Sequence, residues 1–251
     1  MLTLVGLGLN DENDLTLRGI EAAKKSDKVF VEFYTGLWHG SKTNLEKIIG
    51  KKIIELQRKD LENDSKKFLE HAKNSEIVLF VQGDPLIATA HEALISEAKK
   101  MKIKTKIVHN SSIYSAISET GLHIYKFGPT VTIPFSEKIG KQLPKSIYDI
   151  ISDNKKKGFH TLCLLDVVAE KKKYMGANEA LSILLRMEDQ FKEKVITANL
   201  HAVVFEAAGS DKSKITFGTI GNLMKEHFEN LPQVLILTGK LHFTEEELLK
   251  V

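Results

Sequence analysis

The turn at residues 82–86, with the sequence Gln-Gly-Asp-Pro-Leu, holds the residues of this chain that are best suited to chemistry. It directly follows the apolar run at 77–81, which has the length and composition of a buried strand. In open α/β sheets ligands bind at the carboxyl ends of strands, and Gly83 permits close approach to the backbone there. Asp84 would then anchor a polar group of a ligand. Its alternative role is to cap the helix predicted at 88–100, with Pro85 in the first helical turn.

Two further turns stand at the ends of predicted strands. Gly6-Leu7-Gly8 ends the strand at 1–6, but it lacks the third glycine of a dinucleotide-binding fingerprint, and Asp11 and Glu12 would repel a pyrophosphate. Asn110-Ser111-Ser112-Ile113 follows the strand at 105–108 and offers hydroxyl groups, which suit either a ligand or a helix cap. Acidic turns without a phosphate cradle favour a neutral or cationic ligand. S-adenosylmethionine, with its sulfonium and ammonium groups, is such a ligand.

The composition excludes several classes of protein. With 251 residues, of which 42% are hydrophobic and 27% charged, the chain is typical of a globular protein, and no uncharged apolar stretch is long enough for a membrane span. The net charge of +3 gives no argument for nucleic acid binding. The single cysteine, Cys163, lies in an apolar run and fits a reducing, cytoplasmic setting. We find neither a metal-binding set of histidines nor a Gly-x-Ser-x-Gly motif, so no metal site and no serine hydrolase are expected.

Strand-like and helical segments alternate along the chain, which predicts an α/β fold with βαβ units and a mostly parallel sheet. Strands are predicted at 1–6, 28–33, 52–56, 77–81, 105–108, 130–134, 159–165, 200–207, 214–218 and 233–238. Helices are predicted after a cap at Asp14 and at 44–49, 61–73, 88–100, 113–119, 146–157 and 178–191, with a surface loop at 135–144. The glycines and the proline of 121–129 break the alternation. We therefore predict an N-terminal α/β domain, 1–125, and a C-terminal α/β domain, 126–251.

A set of segments in sequence order resembles one known family over nearly the whole chain. These segments are residues 1–9, 31–35, 83–91, 112–116, 121–128, 160–166, 174–175 with 178–180, and 239–242. Gly121-Leu122-His123-Ile124-Tyr125-Lys126-Phe127-Gly128 is the most specific of them. On these residues the chain resembles the diphthine synthase family, whose fold is that of the tetrapyrrole methylases.

The resemblance implies two α/β domains of the tetrapyrrole methylase type, with S-adenosylmethionine in the cleft between them, and a homodimer. It also implies methylation of the amino group of 3-carboxy-3-aminopropyl-histidine in translation elongation factor 2, which forms diphthine in diphthamide biosynthesis. Carried over by position, the cofactor contacts would be Leu9, Asp84, Ile87, Ser112, Ile113, Leu165, Ala208 and Gln233. Several of these would act through backbone groups, because Leu, Ile and Ala have no polar side chain.

The chain departs from the family pattern at two places. Gln233 stands where relatives usually carry histidine, but a glutamine keeps a donor and an acceptor. Glu206-Ala207-Ala208-Gly209 replaces a pattern that usually includes arginine. The sequence assigns no residue to removing the proton of the amine. Two alternatives stay open, a methyltransferase of the same fold acting on a tetrapyrrole or ribosomal RNA, and a non-catalytic module that binds the cofactor.

Overall fold

The computed structural model describes residues 1–139 and 143–249 of the chain. The chain divides into two units, Met1–Ala116 and Ile117–Val251. The division predicted from the sequence, after residue 125, lies within the second of these units. Each unit combines a five-stranded sheet with helices, so the chain is an α/β protein, as the alternation of segments predicts.

The first unit is built on a sheet whose five strands all run parallel. The strands are β1 (Leu2–Gly6), β2 (Lys28–Glu32), β3 (Ile53–Leu56), β4 (Ile77–Val81) and β5 (Thr105–Val108). They are hydrogen-bonded in the order β3-β2-β4-β1-β5. Both β1 and β4 are buried along their whole length. Central parallel strands are covered on both faces, which explains why β4 is a continuous apolar run in the sequence and why β1 is interrupted only by Thr3.

Helices connect the parallel strands of the first unit, and one more follows the last strand, β5. They are α1 (Leu17–Lys25), α2 (Lys42–Ile49), α3 (Arg58–Glu62), α4 (Ser65–Glu70), α5 (His91–Lys100) and α6 (Ile113–Ala116). Leu45 and Ile49 of α2 lie in one apolar core with Phe80 of β4. Burying a large apolar side chain of this kind contributes about 1.5–3 kcal/mol relative to leaving it exposed.

The predicted cap of α1 is wrong. Thr16 caps this helix, because its hydroxyl accepts a hydrogen bond from the Gly19 amide at 3.0 Å. Asp14 instead ends a short 3₁₀ helix, and its carboxylate accepts from the Asn10 amide at 2.7 Å. Both residues are good caps, but the Asp14 carboxylate is already bonded to the turn that precedes it.

Two other helices of the first unit also differ from the prediction. The helix predicted at 61–73 is split into α3 and α4 at Asn63 and Asp64, residue types that favour helix ends over helix interiors. The helix predicted from residue 88 begins only at His91. Pro85 therefore lies in a turn and not in a first helical turn.

The second unit contains a mixed sheet. Its strands are β6 (Val131–Ile133), β7 (Thr161–Leu165), β8 (Val167–Val168), β9 (Lys173–Tyr174), β10 (His201–Glu206), β11 (Lys214–Thr219) and β12 (Gln233–Leu237). The small pair β8-β9 stands apart, and the others are hydrogen-bonded in the order β11-β10-β12-β7-β6. Among these described neighbours only β6 and β7 run parallel. The prediction of a mostly parallel sheet is wrong for this unit. β10 and β11 are antiparallel because the connection at 207–213 is too short for a crossover, and β12 runs antiparallel to both β10 and β7.

Helices also line the second unit. They are α7 (Ser136–Ile139), α8 (Lys145–Lys156), α9 (Ala177–Phe191), α10 (Ile220–Leu223) and α11 (Phe243–Leu249). The structure places α7 in the segment predicted as a surface loop, 135–144, of which residues 140–142 lie outside the described part of the chain. No predicted element corresponds to α11. None of the helices in the described ranges is both long and apolar enough to cross a membrane.

The core of the second unit lies between its sheet and the helices α8 and α9. Tyr148 of α8 and Leu184 of α9 are fully buried there with Cys163 of β7. Burial raises the pKa of the Cys163 thiol to about 12, so the thiol stays protonated at neutral pH. Cys163 is therefore a small core residue, as its apolar neighbours in the sequence predict.

Candidate functional site

The carboxyl ends of three adjacent strands bring the predicted ligand turns together in the first unit. Because β1 lies between β4 and β5, the turns that follow these strands are neighbours. Gly8 and Gly83 exchange backbone hydrogen bonds with N···O distances of 3.2 and 3.0 Å. The side-chain amide of Asn110 donates to the carbonyl oxygens of Gly6 and Asp14, each at 2.9 Å. The three turns therefore form one connected surface of backbone groups.

Glycine is required where these turns touch. A Cβ atom on Gly6 would lie 2.5 Å from the carbonyl oxygen of Gly83 and 2.7 Å from Cβ of Asn110. The φ angles of Gly8 and Gly83 are +82° and +64°, a region that other residues rarely adopt. A ligand placed over these turns would meet peptide groups at close range.

Asp84 joins the turn after β4, at 82–86, to the turn after β5, at 110–113. Its side chain is almost fully buried, and Oδ1 accepts a hydrogen bond from the Leu86 amide at 3.0 Å. Oδ2 accepts from the Asn110 amide at 3.2 Å and lies 2.8 Å from Nδ1 of His109. Because α5 begins at His91, Asp84 does not cap it, and the capping interpretation is wrong. A carboxylate has about four acceptor positions, so one remains for a ligand.

Asp84→Asn is expected to destabilise the protein by about 1–3 kcal/mol without any ligand. An asparagine side chain has one acceptor oxygen, so its NH₂ group would face one of the two backbone N–H groups, of Leu86 or Asn110, that now donate to Asp84. If Asp84 also anchors the cofactor, losing its charge should weaken S-adenosylmethionine binding about ten- to hundredfold. Chemical unfolding measures the first effect and calorimetric titration the second.

Asp27→Asn is the matched control for Asp84→Asn. Asp27 is exposed, and its carboxylate accepts one backbone hydrogen bond, from the Glu76 amide at 2.7 Å. This variant should bind the cofactor normally. Unchanged cofactor affinity in a folded Asp84→Asn protein would refute the anchor role, and unchanged unfolding would refute the bracing role.

The other predicted contacts of the first unit lie in the same turns. Leu9 and Ile113 are half-buried, Ser112 is buried, and Ile87 is at the border of exposure. The Ile87 amide donates to the carbonyl oxygen of Asp84 at 3.2 Å, which keeps it beside the buried carboxylate. Leu9, Ile87 and Ile113 can offer a ligand only backbone groups and apolar surface.

The second unit brings Leu165, Ala208 and Gln233 to one edge of its sheet. β12 runs antiparallel to β7 and β10, so its first residue, Gln233, lies beside the ends of those two strands. In the register of the sheet, Gln233 is opposite Glu206. Leu165 ends β7, and Ala208 follows β10 within two residues of Glu206. The structure therefore supports the grouping of these three residues within the unit.

The amide of Gln233 is already engaged by the protein. Its Oε1 accepts from the Ala177 amide at 2.8 Å, and its Nε2 donates to the carbonyl oxygen of Asn230 at 3.2 Å. Ala177 is the first residue of α9, whose N-cap residue, Gly176, has no side chain. Gln233 therefore serves this helix as its cap, a role that the sequence did not indicate. One N–H of the amide remains for a ligand.

Glu206 offers a buried acceptor at this edge. Its side chain is almost fully buried, and Oε1 accepts from the Asn230 amide at 2.9 Å. Oε2 is buried without a hydrogen-bond partner among the described residues. The next residue, Ala207, has a φ angle of +44°, so the backbone turns sharply here. The departure from the family pattern at 206–209 thus puts a carboxylate beside Gln233, and this arrangement suits a cationic group.

Glu32, which ends β2 beside β4, was not recognised from the sequence as a buried acid with a raised pKa. The carboxylate is fully buried and accepts from the amide of Tyr34 at 3.0 Å and from the amide and hydroxyl of Thr35 at 3.2 and 2.8 Å. Burial raises the pKa of Glu32 to about 7, although the hydrogen bonds of Thr35 and Tyr34 oppose the rise. An acid at the end of the apolar run at 29–31 was the available signal.

Within residues 1–139 and 143–249, no group of three His, Cys, Asp or Glu side chains is arranged to hold a metal ion. Residues 1–224 match the family model of the Tetrapyrrole (Corrin/Porphyrin) Methylases. Diphthine synthases of Methanocaldococcus jannaschii and Methanococcus maripaludis are 45% and 44% identical to the chain, over its full length and 98% of theirs. A crystal structure of a diphthine synthase has a TM-score of 0.89 at 35% identity and covers 99% of this chain and 94% of that one. The chain therefore belongs to the tetrapyrrole methylase family, among its diphthine synthases, and is a methyltransferase.

Proposed function

We propose that this methyltransferase takes its methyl group from S-adenosylmethionine and transfers it to translation elongation factor 2. The acceptor is the amino group of 3-carboxy-3-aminopropyl-histidine, and the product is diphthine, an intermediate of diphthamide biosynthesis. The observation that carries the proposal is the identity of 44–45% over the whole chain to proteins named diphthine synthase. From the same family resemblance we propose a homodimer that works in the cytoplasm.

The described residues fit the cofactor. The turn surface around Gly6 offers peptide groups where no side chain has room, and it lacks the third glycine that a pyrophosphate fingerprint needs. Oε2 of Glu206 is a buried acceptor that suits an ammonium or a hydroxyl group. The residues proposed to hold the cofactor are Leu9, Asp84, Ile87, Ser112, Ile113, Leu165, Ala208 and Gln233.

S-adenosylmethionine supplies an activated methyl group on a sulfonium. The task left to the protein is to hold donor and acceptor in line and to exclude water, which can provide most of the acceleration of such a displacement. Asp84 contributes by holding the turn after β4 to the turn after β5, because its carboxylate accepts hydrogen bonds from the amides of Leu86 and Asn110. The acceptor amine is nucleophilic only in its neutral form, so a proton acceptor must remove a proton from the ammonium form before each transfer.

The test is transfer of a labelled methyl group. Protein and labelled S-adenosylmethionine are incubated with elongation factor 2 that carries the unmethylated intermediate, and intact-mass analysis then counts the methyl groups on the factor. Elongation factor 2 with the unmodified histidine is the matched control and should gain no label. Label on a tetrapyrrole or on ribosomal RNA in parallel reactions would favour the same-fold alternatives. Cofactor binding without any formation of S-adenosylhomocysteine would favour a binding module.

A further inference from the structure

His109 stands beside the proposed cofactor turns with an arrangement typical of a catalytic base. It directly follows β5 and immediately precedes the third turn, at 110–113. Its Nδ1 lies 2.8 Å from Oδ2 of Asp84, whose side chain is 7% exposed, whereas the imidazole itself is 69% exposed. One ring nitrogen is therefore held by a buried carboxylate, and the rest of the ring is open to a substrate.

The hydrogen bond to Asp84 determines which nitrogen carries the proton. An ionised carboxylate only accepts hydrogen bonds, so Nδ1 of His109 is the donor. In the neutral imidazole Nε2 then has a free lone pair and can accept a proton. When it does so, the carboxylate lies next to the imidazolium and stabilises it. This is the same relation of orienting acid and base that activates nucleophiles in other enzymes.

The neighbouring charged groups do not take over this role. Asp84 is the charged side chain that lies within hydrogen-bond distance of His109 in the described part of the chain. In the segment after β1, the carboxylate of Asp14 accepts from the Asn10 amide at 2.7 Å and that of Asp11 from the Asn13 amide at 2.8 Å. Both carboxylates therefore bond within their own segment. Glu32 at the end of β2 is fully buried and accepts from its own loop.

We propose that His109 accepts the proton of the acceptor amine, with Asp84 as its positioning residue. The inference rests on the proposed function. In this step an N–H bond of the ammonium breaks and the proton passes to Nε2 of His109. The nitrogen keeps the electron pair and becomes the nucleophile toward the donated methyl group. The exposed ring then returns the proton to water, and it can repeat the step when the methylated amine carries a further proton.

The decisive variant is His109→Asn. The asparagine amide can still donate to Asp84 but cannot accept the proton. We expect kcat to fall roughly 100-fold at neutral pH, with the affinity for S-adenosylmethionine within about twofold of wild type. The deficit should shrink as the pH rises into the alkaline range, because the amine then loses its proton without help. Transfer rates across a pH series and calorimetric titration measure the two quantities.

His227→Asn is the matched control, because His227 is another exposed histidine next to a carboxylate, with Nε2 lying 3.6 Å from Oε1 of Glu229. It should leave both quantities unchanged. A readout without turnover is the ¹⁵N spectrum of the His109 ring, which should show a proton on Nδ1 and none on Nε2 at high pH. The opposite tautomer would overturn the proposal.

The outcomes distinguish a failure of the role of His109 from a failure of the proposed function. A His109→Asn enzyme with wild-type kcat at every pH would overturn the role of His109 and leave the proposed function standing. A loss that is constant with pH and comes with weaker cofactor binding would also overturn it, since His109 would then only brace the turn. A wild-type protein that methylates no elongation factor 2 intermediate would overturn the proposed function itself.

Discussion

Gly6→Ala is expected to destabilise the first unit by roughly 2–3 kcal/mol, because the new methyl group has no space. It would lie 2.5 Å from a backbone oxygen, that of Gly83, and 2.7 Å from Cβ of Asn110. Neither atom belongs to the end of a flexible side chain, so the turns after β1, β4 and β5 must move apart. Because these turns carry most of the proposed cofactor contacts, we expect the affinity for S-adenosylmethionine to fall by at least about tenfold.

The measurement can be confined to the first unit. Trp38 is the single tryptophan of the chain, lies in that unit, and is nearly buried with its ring stacked on Phe33 at a centroid distance of 5.6 Å. Its fluorescence during chemical unfolding reports the stability of the unit, and calorimetric titration reports cofactor affinity. Gly218→Ala, in β11 of the second unit, is the control for the glycine-to-alanine change itself, since a Cβ there would meet Leu223 at 3.6 Å, an ordinary contact, and it should leave the Trp38 unfolding signal and the cofactor affinity unchanged. Equal unfolding of the Gly6→Ala and wild-type proteins would show that the turns separate without cost.

The sequence predicted the elements whose signal is local. The apolar runs at 77–81 and 233–238 are strands because a buried strand needs apolar side chains on both faces. The three glycine-, acid- and serine-containing turns were located correctly because each directly follows such a run. Helix starts were less accurate, since Thr16 and Asp14 are both good caps, and the apolar pattern does not show that the Asp14 carboxylate bonds back to Asn10 instead of to the helix.

The partners of the site residues could not be predicted, because they are far apart in sequence. The role of Asp84 depends on Asn110, and that of Gln233 on Ala177. Each pairing exists only once the strands are ordered, and periodicity in one sequence does not give that order. The antiparallel arrangement of β7, β10 and β12 was missed for the same reason.

The segment at 121–128 is the most specific part of the family resemblance, and the structure shows what holds it in place. Glu245 of α11 is fully buried and accepts hydrogen bonds from the His123 amide at 2.8 Å and from the Lys126 ammonium. It also accepts from the His242 amide at 2.7 Å, and Nε2 of His160 lies 3.0 Å from it. One carboxylate therefore holds the segment, β7 and the chain before α11 together.

The tautomer of His160 agrees with this arrangement. Its Nδ1 accepts a hydrogen bond from the Gly239 amide at 3.0 Å, so its Nε2 carries the proton and donates to Glu245. Burial lowers the pKa of His160, although Glu245 opposes the change. A neutral His160 therefore needs no counter-charge, and Lys126 provides the positive charge for the carboxylate.

Glu245→Ala is expected to destabilise the second unit by about 3–5 kcal/mol, because the N–H groups of His123, His242 and His160 lose a fully buried acceptor and the half-buried Lys126 ammonium loses its counter-charge. Glu247→Ala is the control on the same helix, where the side chain is exposed and the effect should stay within about 0.5 kcal/mol. Hydrogen exchange at the amides of His123 and His242 measures the loss within the unit. Protection equal to that of the control would contradict the anchoring role.

Acid should weaken the same anchor in the wild-type protein. Burial on its own would raise the pKa of Glu245, but the hydrogen bonds from Lys126, His123, His242 and His160 outweigh it and lower the pKa from 4.5 to about 2. The unfolded chain therefore binds this proton at a higher pH than the folded chain does. The contribution, about 3 kcal/mol, is complete above pH 4.5 and is lost as the pH falls toward 2. Glu245→Gln removes the titrating group, so its unfolding free energy should change less steeply over this range. Parallel acid slopes for the two proteins would show that the anchor does not depend on the charge of Glu245.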